Sequence, residues 1–376
     1  MNNTFNPEVA QYLYARANER GIPLGGTFEL TPRCNMNCRM CYIRMSEAEM
    51  REKGSELSVS EWLELASQAQ QKGMLFLLLT GGEPLLYPGF KELFCELKKL
   101  GLMISINTNA TMLNDDVLEF FKKYPPYRLN ITVYGGSNDT YKRLCRCNDG
   151  YDRATSAIRK LRDANFFVKI NGSITPENID DAEEILGVAK DYSSPCSLGC
   201  YMFPPVRRDG KSTCRFEPDE AGRRQAGIDY YRYDDISFAN EISKIKSVEE
   251  TDLCDAAAEK FRCRAGRSSF WITWDGRMNA CGMMDTFSLH PLDDGFEACW
   301  SKINREISAM TVLDGCKTCK NRAICKVCPA VAAAETGDVN KKPEYLCEML
   351  EAWKEEMLLI DANRPPKNSE LFKNRK

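Results

Sequence analysis

A chain of 376 residues is too long for one small core and fits a barrel-sized domain or a domain with an extension. Its formal net charge of −3 argues against a general nucleic-acid-binding protein, and no apolar run is long enough to predict a membrane span. The 18 cysteines accompany a single histidine and no signal peptide, which argues against a secreted disulfide scaffold and against most mixed cysteine–histidine zinc sites. The expectation that remains is a cytoplasmic protein whose reduced thiols bind metal.

The first half of the chain alternates short apolar runs with helical patterns. Residues 1–26 predict a helical lead-in, and Ser58 with Glu61 predicts the capping box of a later helix. The predicted strands are residues 27–31, 75–81, 103–109, 128–135, 167–174 and 197–203. The predicted helices between them include residues 90–100, 115–123, 151–164 and 176–192. Repeated strand–helix units imply a parallel sheet, which predicts an α/β fold with a partial, TIM-like (β/α)6 barrel over residues 27–206.

The composition changes after the barrel. Residues 207–250 begin with a polar, basic and aromatic stretch and predict a linker. The cysteines then become dense, so residues 251–364 predict a second domain that metal binding organises. Residues 365–376 are charged and predict a disordered tail.

A cysteine-rich loop follows the first predicted strand. Cys34, Cys38 and Cys41 have the spacing C-x3-C-x2-C. Three thiolates on one short loop can hold three irons of a [4Fe–4S] cluster, which leaves the fourth iron open to a small molecule. A zinc loop with a distant fourth ligand and three incidental cysteines are the alternatives.

This loop, with Tyr42 directly after its last cysteine, resembles the signature of the radical SAM superfamily. The resemblance implies that the open iron chelates S-adenosylmethionine (SAM) and that Tyr42 lies beside the adenine. It also implies that one electron from the cluster cleaves SAM to a 5′-deoxyadenosyl radical, which abstracts a hydrogen atom from the substrate. An external reductant such as flavodoxin or ferredoxin would supply that electron.

The second predicted strand ends in Thr80, Gly81, Gly82, Glu83 and Pro84, which resembles the GGEP element of the same superfamily. Glycines let the backbone approach a ligand closely, and Pro84 fixes the turn that follows. The resemblance implies that this element binds SAM through backbone carbonyls that accept hydrogen bonds from its ammonium group. Without the cysteine loop beside it, the same element would indicate an ordinary turn.

The third predicted strand ends in a partial match to a further SAM-binding element. Asn107 and Asn109 lie where relatives contact the SAM ribose. Ala110 replaces the glycine of those relatives, so a different backbone conformation is expected there. The resemblance therefore predicts a ribose contact from this strand end.

The fourth predicted strand carries a weaker match. Thr132 lies at its end, but Tyr134 occupies the position where some relatives have an acidic residue. Arg143 or Arg146, just beyond, could pair with the SAM carboxylate. Either arginine could instead be a solvated residue on a helix face.

Eight cysteines of the second domain form a pattern of their own. Cys263, Gly276 and Cys281 have the spacing C-x12-G-x4-C, with Gly276 in a predicted hairpin turn, and a C-x2-C-x5-C-x2-C motif follows before Cys347. The pattern resembles the SPASM extension of radical SAM enzymes that modify peptides and proteins, which implies two auxiliary [4Fe–4S] clusters. The implied ligands are Cys254, Cys263, Cys281 and Cys328 for the nearer cluster, and Cys316, Cys319, Cys325 and Cys347 for the farther one.

Three alternatives remain for these and the other thiols. A zinc ribbon would use the same C-x2-C pairs. Cys254 is the ligand that the pattern requires least, and without it the nearer cluster would keep an open iron for the substrate. The remaining cysteines are predicted to be packing residues, although one of them could donate a hydrogen atom to a substrate radical. They are Cys95, Cys145, Cys147, Cys196, Cys200, Cys214 and Cys299.

Two classes of substrate stay open. The SPASM resemblance favours a peptide that is crosslinked, given a thioether, epimerised or oxidised. Gly282 stands where sulfatase-maturing relatives carry an aspartate, so Asp285 is the candidate catalytic base. Only residues 1–33 precede the first cysteine, so either a separate binding protein or the barrel itself would have to recognise a peptide leader. This favours the alternative, a small molecule such as an amino-acid or sugar derivative.

Overall fold

The computed structural model describes residues 7–204, 214–250, 261 and 263–368. Its strands are β1 Gly25–Glu29, β2 Phe76–Thr80, β3 Met103–Thr108, β4 Arg128–Thr132, β5 Val168–Ser173, β6 Cys196–Gly199, β7 Ser269–Ile272 and β8 Met278–Asn279. Its α-helices are α1 Pro7–Arg20, α2 Glu47–Lys53, α3 Val59–Gln71, α4 Phe90–Lys99, α5 Asp115–Lys123, α6 Asn138–Cys145, α7 Gly150–Asp163, α8 Ala182–Asp191, α9 Pro218–Arg232, α10 Asp235–Glu250, α11 Pro291–Asp294, α12 Phe296–Ala309, α13 Pro329–Thr336 and α14 Glu344–Asn363. None of these helices combines the length and the apolar character needed to cross a membrane.

The described strands join one sheet in the order β6-β5-β4-β3-β2-β1-β7-β8. β1 to β6 pair in parallel and in chain order, as the repeated strand–helix pattern predicted. The chain then returns to the opposite side of β1, where β7 pairs in parallel with β1 and β8 pairs antiparallel with β7. Among the described strands, β6 and β8 form the two edges of an open sheet, and the predicted partial barrel is confirmed.

The two faces of this sheet differ in polarity, because successive residues of a strand point to opposite sides. On β4, Leu129 and Ile131 are fully buried and pack in the same hydrophobic cluster as Leu161 of α7. Asn130 and Thr132 alternate with them and therefore face the concave side. The barrel has an apolar outer layer beneath its helices and a polar interior.

Helix α3 packs on the strand that leads into the first cysteine loop. Its predicted capping box is present: Ser58 Oγ accepts from Glu61 N at 3.3 Å, and the Glu61 carboxylate accepts from Ser58 N at 2.7 Å. Trp62 of this helix is fully buried and stacks on Phe28 of β1 with ring centroids 4.7 Å apart. The local capping signal and the apolar stripe thus specify both the start and the packing face of α3.

The pairing of β7 with β1 joins the carboxyl-terminal part of the chain to the barrel. The sequence predicts a separate second domain over residues 251–364, whereas β7 continues the barrel sheet. Gly26 permits the contact, because a Cβ there would lie 2.7 Å from Phe270 Cζ and 2.6 Å from Met74 Sδ. The predicted hairpin is present between β7 and β8, with Gly276 at φ +85° in its turn.

Residues 207–250 are not a linker over the part that the structure describes. That part contains α9 and α10, and α9 packs along α14. A Cβ on Gly222 would lie 2.2 Å from Met349 O, and Trp353 Nε1 donates to Asp229 Oδ2 at 3.1 Å. The linker prediction was wrong because α9 buries charged and polar groups alongside small apolar ones, so its sequence shows no plain apolar stripe.

The first residues of the predicted tail lie on the protein. Tyr230 Oη of α9 donates to Pro365 O at 3.0 Å, just after α14 ends. A disordered tail was therefore predicted too early. The rest of that prediction, residues 369–376, lies outside the described residues.

Candidate active site

The three cysteines of the first loop follow the carboxyl end of β1. Backbone N–H groups donate to two of their sulfurs: Met36 N lies 3.4 Å from Cys34 Sγ, and Arg44 N lies 3.3 Å from Cys41 Sγ. Cys38 is buried and packs in the same cluster as the other two thiols. Such donors favour the thiolate, which is the form that ligates iron. The loop therefore places its three thiols in one cluster of packed side chains.

The carboxyl end of α6 holds this loop. The last carbonyl groups of a helix have no partner within the helix. Here Leu144 O accepts from Arg39 N at 2.9 Å, and Cys145 O accepts from Asn37 N at 2.9 Å. Arg146 then ends the helix with a left-handed conformation, φ +58°. The loop thus supplies N–H donors to the last carbonyl groups of α6, and the same hydrogen bonds hold the loop in place.

The end of β3 also supports the loop. Asn109 Nδ2 donates to Asn35 Oδ1 at 3.0 Å and approaches Cys34 Sγ at 3.7 Å, while Asn35 Nδ2 donates to Thr111 Oγ1 at 2.7 Å. Ala110 has φ +61°, so the alanine adopts a conformation that favours glycine. These contacts make Asn109 a support of the cysteine loop, and its predicted contact with the SAM ribose stays a prediction.

Gly81 and Gly82 follow β2 and pack against the backbone that precedes the first cysteine. Gly82 N donates to Thr31 O at 2.7 Å, and a Cβ on Gly82 would lie 2.3 Å from Arg33 O. Gly81 has φ +148°, and a Cβ there would lie 2.4 Å from Thr31 O. The sequence assigned the glycines to close approach of a ligand, whereas the structure shows close approach to the loop's own backbone.

Glu83 is fully buried beside these glycines and joins the ends of β2 and β3. Its carboxylate accepts hydrogen bonds from Thr108 Oγ1 at 2.8 Å, Asn109 N at 2.9 Å and Leu85 N at 3.3 Å. Burial raises the pKa of Glu83 to about 7, although these hydrogen bonds act in the opposite direction. The side chain that the GGEP resemblance placed in the SAM site therefore also links two strand ends.

Glu83→Gln should remove a pH dependence from the stability of the cluster-free protein. Because the pKa of Glu83 rises from 4.5 to about 7 on folding, its contribution to stability should be fully present below pH 4.5 and be lost as the pH rises through 7. The loss should amount to about 3 kcal/mol in this window. Urea unfolding at several pH values measures it, with Glu92→Gln on the exposed side of α4 as the control. An unchanged slope in Glu83→Gln would contradict this assignment.

A cavity of about 430 Å³ lies in the carboxyl-terminal region. Its lining includes the whole ligand set that the SPASM resemblance implied for the farther auxiliary cluster. These residues are Cys316, Cys319, Cys325 and Cys347. They come from the end of one 3-10 turn, the residue before the next 3-10 turn, the loop after it and α14, so ligation at this place would tie several short elements together.

A second cavity, of about 50 Å³, is lined by Cys263, Cys281 and Cys328. Backbone N–H groups again donate to sulfur: Ala265 N to Cys263 Sγ at 3.4 Å and Met283 N to Cys281 Sγ at 3.3 Å. These three thiols were predicted to hold the nearer auxiliary cluster. The fourth predicted ligand, Cys254, lies outside the described residues.

The arrangement of the thiols bears on the zinc alternative. Within the residues that the structure describes, no three cysteine, histidine or carboxylate side chains are grouped for one metal ion. A [4Fe–4S] cluster binds each thiolate through a different iron and so spreads its ligands more widely than one zinc ion does. The linings of the two cavities contain the described cysteines of the ligand sets that the SPASM resemblance implied, and the choice between clusters and a zinc ribbon stays a prediction.

The remaining SAM-site candidates lie at the same edge of the barrel. Thr80 and Thr132 are the last residues of two parallel strands, and Tyr42 is half-buried after the cysteine loop. Arg143 of α6 donates to Glu177 O, beyond β5, at 3.5 Å. The structure brings these side chains to the cysteine-loop end of the sheet, and their contacts with SAM stay predictions.

Asp285 is held in an ion pair beside β8. Arg277 Nη1 lies 2.8 Å from Asp285 Oδ1, and Arg277 Nε lies 2.8 Å from Asp275 Oδ2. Ser288 Oγ and Asn279 Nδ2 also donate to Asp285, at 2.9 and 3.2 Å. These contacts describe a residue that stabilises the hairpin, and they lend no support to the predicted catalytic base.

The cysteine loop, the GGEP element and the end of β3 lie within one family match. The model of the family described as "Radical SAM superfamily" matches residues 28–189. Residues 28–189 are a radical SAM domain. The match begins in β1 and ends in α8, so it leaves out the two cysteine-lined cavities. The protein is a radical SAM enzyme, and this family implies a [4Fe–4S] cluster and SAM as cofactors.

Three curated relatives of this radical SAM enzyme differ in how much of their length is shared. AdoMet-dependent heme synthase of Methanosarcina barkeri is 23% identical over 85% of this chain and 94% of its own length. Sporulation killing factor maturation protein SkfB of Bacillus subtilis is 24% identical over 73% of this chain and 63% of SkfB. Antilisterial bacteriocin subtilosin biosynthesis protein AlbA, also of Bacillus subtilis, is 24% identical over 47% of this chain and 39% of AlbA. The chain thus spans less than two thirds of SkfB and of AlbA.

Solved structures share the fold of the radical SAM enzyme beyond its barrel. The crystal structure of Streptococcus suis SuiB has a TM-score of 0.66 at 16% identity and covers 92% of this chain and 83% of SuiB. The structure of anSMEcpe with bound AdoMet has a TM-score of 0.67 at 15% identity and covers 93% of this chain and 98% of that one. The TM-scores and the coverage establish a common fold that includes the carboxyl-terminal region.

Sequence reasoning missed the residues that fix the cysteine loop from outside. Arg33 pairs with Glu56 at 2.6 Å, and Thr111 accepts from Asn35. Each contact joins residues that are far apart in the chain, so no local spacing indicated it. The polar residue inside the motif, Asn35, was the only signal available.

Proposed function

We propose that this protein modifies a peptide by radical chemistry initiated in the barrel. The observation that carries the proposal is the presence of two cysteine-lined cavities in the region that follows the barrel. The resemblance to the SPASM extension connects such cysteines with peptide-modifying enzymes. SkfB is named for the maturation of sporulation killing factor and AlbA for the biosynthesis of the antilisterial bacteriocin subtilosin, and one SuiB structure contains the precursor peptide SuiA.

The proposed reaction begins at the first cysteine loop. Cys34, Cys38 and Cys41 would hold a [4Fe–4S] cluster, which supplies the electron that cleaves SAM to a 5′-deoxyadenosyl radical. The chain's own contribution is to orient this site: Asn109 bonds to the loop, and Glu83 joins the strand ends below it. Abstraction of a hydrogen atom from the substrate would follow in the polar interior, where the surrounding barrel limits access of water.

The auxiliary sites would serve the same reaction. The hairpin β7–β8 continues the barrel sheet at β1, the strand that leads directly to the first cysteine loop. Clusters near this hairpin would therefore lie beside the barrel and could take up the electron released when a substrate radical is oxidised. The proposal includes an external reductant such as flavodoxin or ferredoxin. It also includes a separate leader-binding protein as a partner for a peptide substrate.

A small-molecule substrate is the second candidate. It is favoured by the heme synthase relative, which shares 94% of its own length with this chain, more than SkfB or AlbA do. The fold alone does not separate the candidates, because one fold supports many reactions. A turnover assay with both classes of compound is needed to identify the substrate class.

Incubation of the reduced enzyme with short peptides encoded beside its gene should change one of them. Oxidative crosslinking removes two hydrogens and should lower the intact mass by about two mass units, whereas epimerisation in deuterated water should add deuterium. The enzyme without its first three cysteines is the control. Absence of any change, together with turnover of a free amino acid or sugar derivative in the same assay, would decide for the small-molecule candidate.

A further inference from the structure

A row of polar residues crosses three neighbouring strands inside the barrel. In the strand register Asn107 of β3 faces Asn130 of β4, and Asn130 faces Lys169 of β5. The residues on either side of Asn130 along β4, Leu129 and Ile131, are fully buried on the opposite face, under the helices. The row therefore lies on the concave face, and none of the motifs that indicated SAM binding accounts for Asn130 or Lys169.

The hydrogen bonding of this row is incomplete. Asn130 Nδ2 donates to Asn107 Oδ1 at 2.8 Å, but Asn130 Oδ1 has no partner, although the residue is only 6% exposed. Arg128 lies two residues earlier on the same face, and its Nε is likewise buried without a partner. Buried polar atoms are normally paired, so these two indicate a group that is supplied from outside the chain.

The charge of the row is also unbalanced. Of the residues that the structure describes, none forms an ion pair with Lys169 or Arg128. Burial and the neighbouring Arg128 lower the pKa of Lys169, as expected when two cations share a confined site. Glu29 of β1, a carboxylate on the concave face, accepts a hydrogen bond from Trp271 Nε1 at 2.9 Å. An anion placed between the two cations would be stabilised by both.

The row lies close to the expected site of the reaction. Asn107 precedes Asn109 by two residues on one strand end, and Asn109 approaches Cys34 Sγ at 3.7 Å. At a rise of about 3.3 Å per residue, the row is about 7 Å below the contact with the cysteine loop. A group bound there would sit inside the barrel, beneath the loop that is expected to hold SAM.

We propose that Asn107, Asn130 and Lys169, with Arg128 beside them, form a subsite that binds a carboxylate of the substrate. The inference rests on the proposed radical modification and names the chemistry of its substrate. The Lys169 ammonium donates to the carboxylate, and Asn130 Oδ1 accepts from an N–H group next to it. An aspartate or glutamate residue of a peptide offers both groups, through its side chain and its backbone. A free dicarboxylate offers the first of them alone.

The test compares acids with their matched amides on the reduced, SAM-loaded holoenzyme. The peptide-like pair is N-acetylglutamate N-methylamide and N-acetylglutamine N-methylamide, and the free pair is glutarate and its diamide, glutaramide. The readout is the ratio of 5′-deoxyadenosine formation with the acid to formation with the amide. The wild type should prefer the acid by about tenfold or more, since hydrogen bonds to charged groups are strong.

Two variants and one control locate the preference. Lys169→Met should bring the ratio close to one, and Asn130→Asp should reverse it by repelling the acid. Lys98→Met, at a half-buried lysine of α4 outside the barrel, should keep the wild-type ratio. A ratio near one in the wild type, or an unchanged ratio in Lys169→Met, would overturn the subsite. Loss of SAM binding by Lys169→Met in calorimetry would also overturn it, because the lysine would then belong to the cofactor site.

The outcomes separate this inference from the proposed function. An acid preference within the free pair alone would support the subsite and count against a peptide. Modification of a peptide with equal turnover of its acidic and amide forms would support peptide modification and overturn the subsite. No stimulation by any acid would overturn the subsite as well.

Discussion

Replacement of Cys34, Cys38 and Cys41 together by alanine is expected to abolish the release of 5′-deoxyadenosine from SAM. The wild type should release it slowly after reduction even without substrate, because the radical SAM domain needs only its cluster and SAM for this step. The iron content of anaerobically reconstituted protein should fall from about twelve to about eight per chain, as one of three clusters is lost. Product chromatography and iron analysis measure the two effects.

The matched control replaces two thiols outside the cysteine-lined sites. Cys95 and Cys196 are half-buried free thiols, and their double replacement by alanine should keep both the iron content and SAM cleavage. A triple variant that still cleaves SAM would contradict the assignment of the first loop. About four irons and two zinc ions in the unmutated protein would instead support the zinc ribbon in the carboxyl-terminal region.

Gly82→Ala is expected to be almost as damaging, although it removes no ligand. The new Cβ would lie 2.3 Å from Arg33 O and 2.7 Å from Arg33 C, both backbone atoms that a side-chain rotation cannot move. Relief of this overlap must displace the backbone that leads directly into Cys34. We expect a loss of about 1–3 kcal/mol in the free energy of unfolding, as is typical of overpacking, and loss of the cluster held by this loop.

The control for this variant is a glycine with space around it. A Cβ on Gly187 of α8 would meet nothing within 4 Å, and Gly187→Ala should stabilise the helix by up to about 1 kcal/mol. Urea unfolding and iron analysis of both variants compare the effects. A Gly82→Ala enzyme with the wild-type iron content and SAM cleavage would show that the contact of the glycine with the loop backbone is not needed.

Features that depend on neighbouring residues were predicted correctly, whereas a feature that depends on a distant segment was not. The capping box of Ser58 and Glu61 and the hairpin turn at Gly276 depend on neighbouring residues, and the structure contains both. The linker prediction failed because α9 is stabilised by its contact with α14, more than a hundred residues later, as at Gly222 and Met349. A helix that buries charged groups in pairs carries no apolar periodicity for a sequence to reveal.

The sequence by itself indicated the family of the protein. Three cysteines within one turn-sized loop can hold three irons of a [4Fe–4S] cluster, and the resemblance of this loop and of the GGEP element to the radical SAM superfamily implied SAM as a cofactor. The alternation of strands and helices likewise determined the parallel barrel, since parallel strands need a crossover between them.

Only the tertiary structure decided how these parts meet. The pairing of β7 with β1, the bond between Asn35 and Asn109 and the row of Asn107, Asn130 and Lys169 each depend on strand register or on distant segments. Register is set by the packing of the whole sheet, and a shift of one residue would turn each of these side chains to the other face. Local sequence patterns contain no information on the register, because the packing of the complete core determines it.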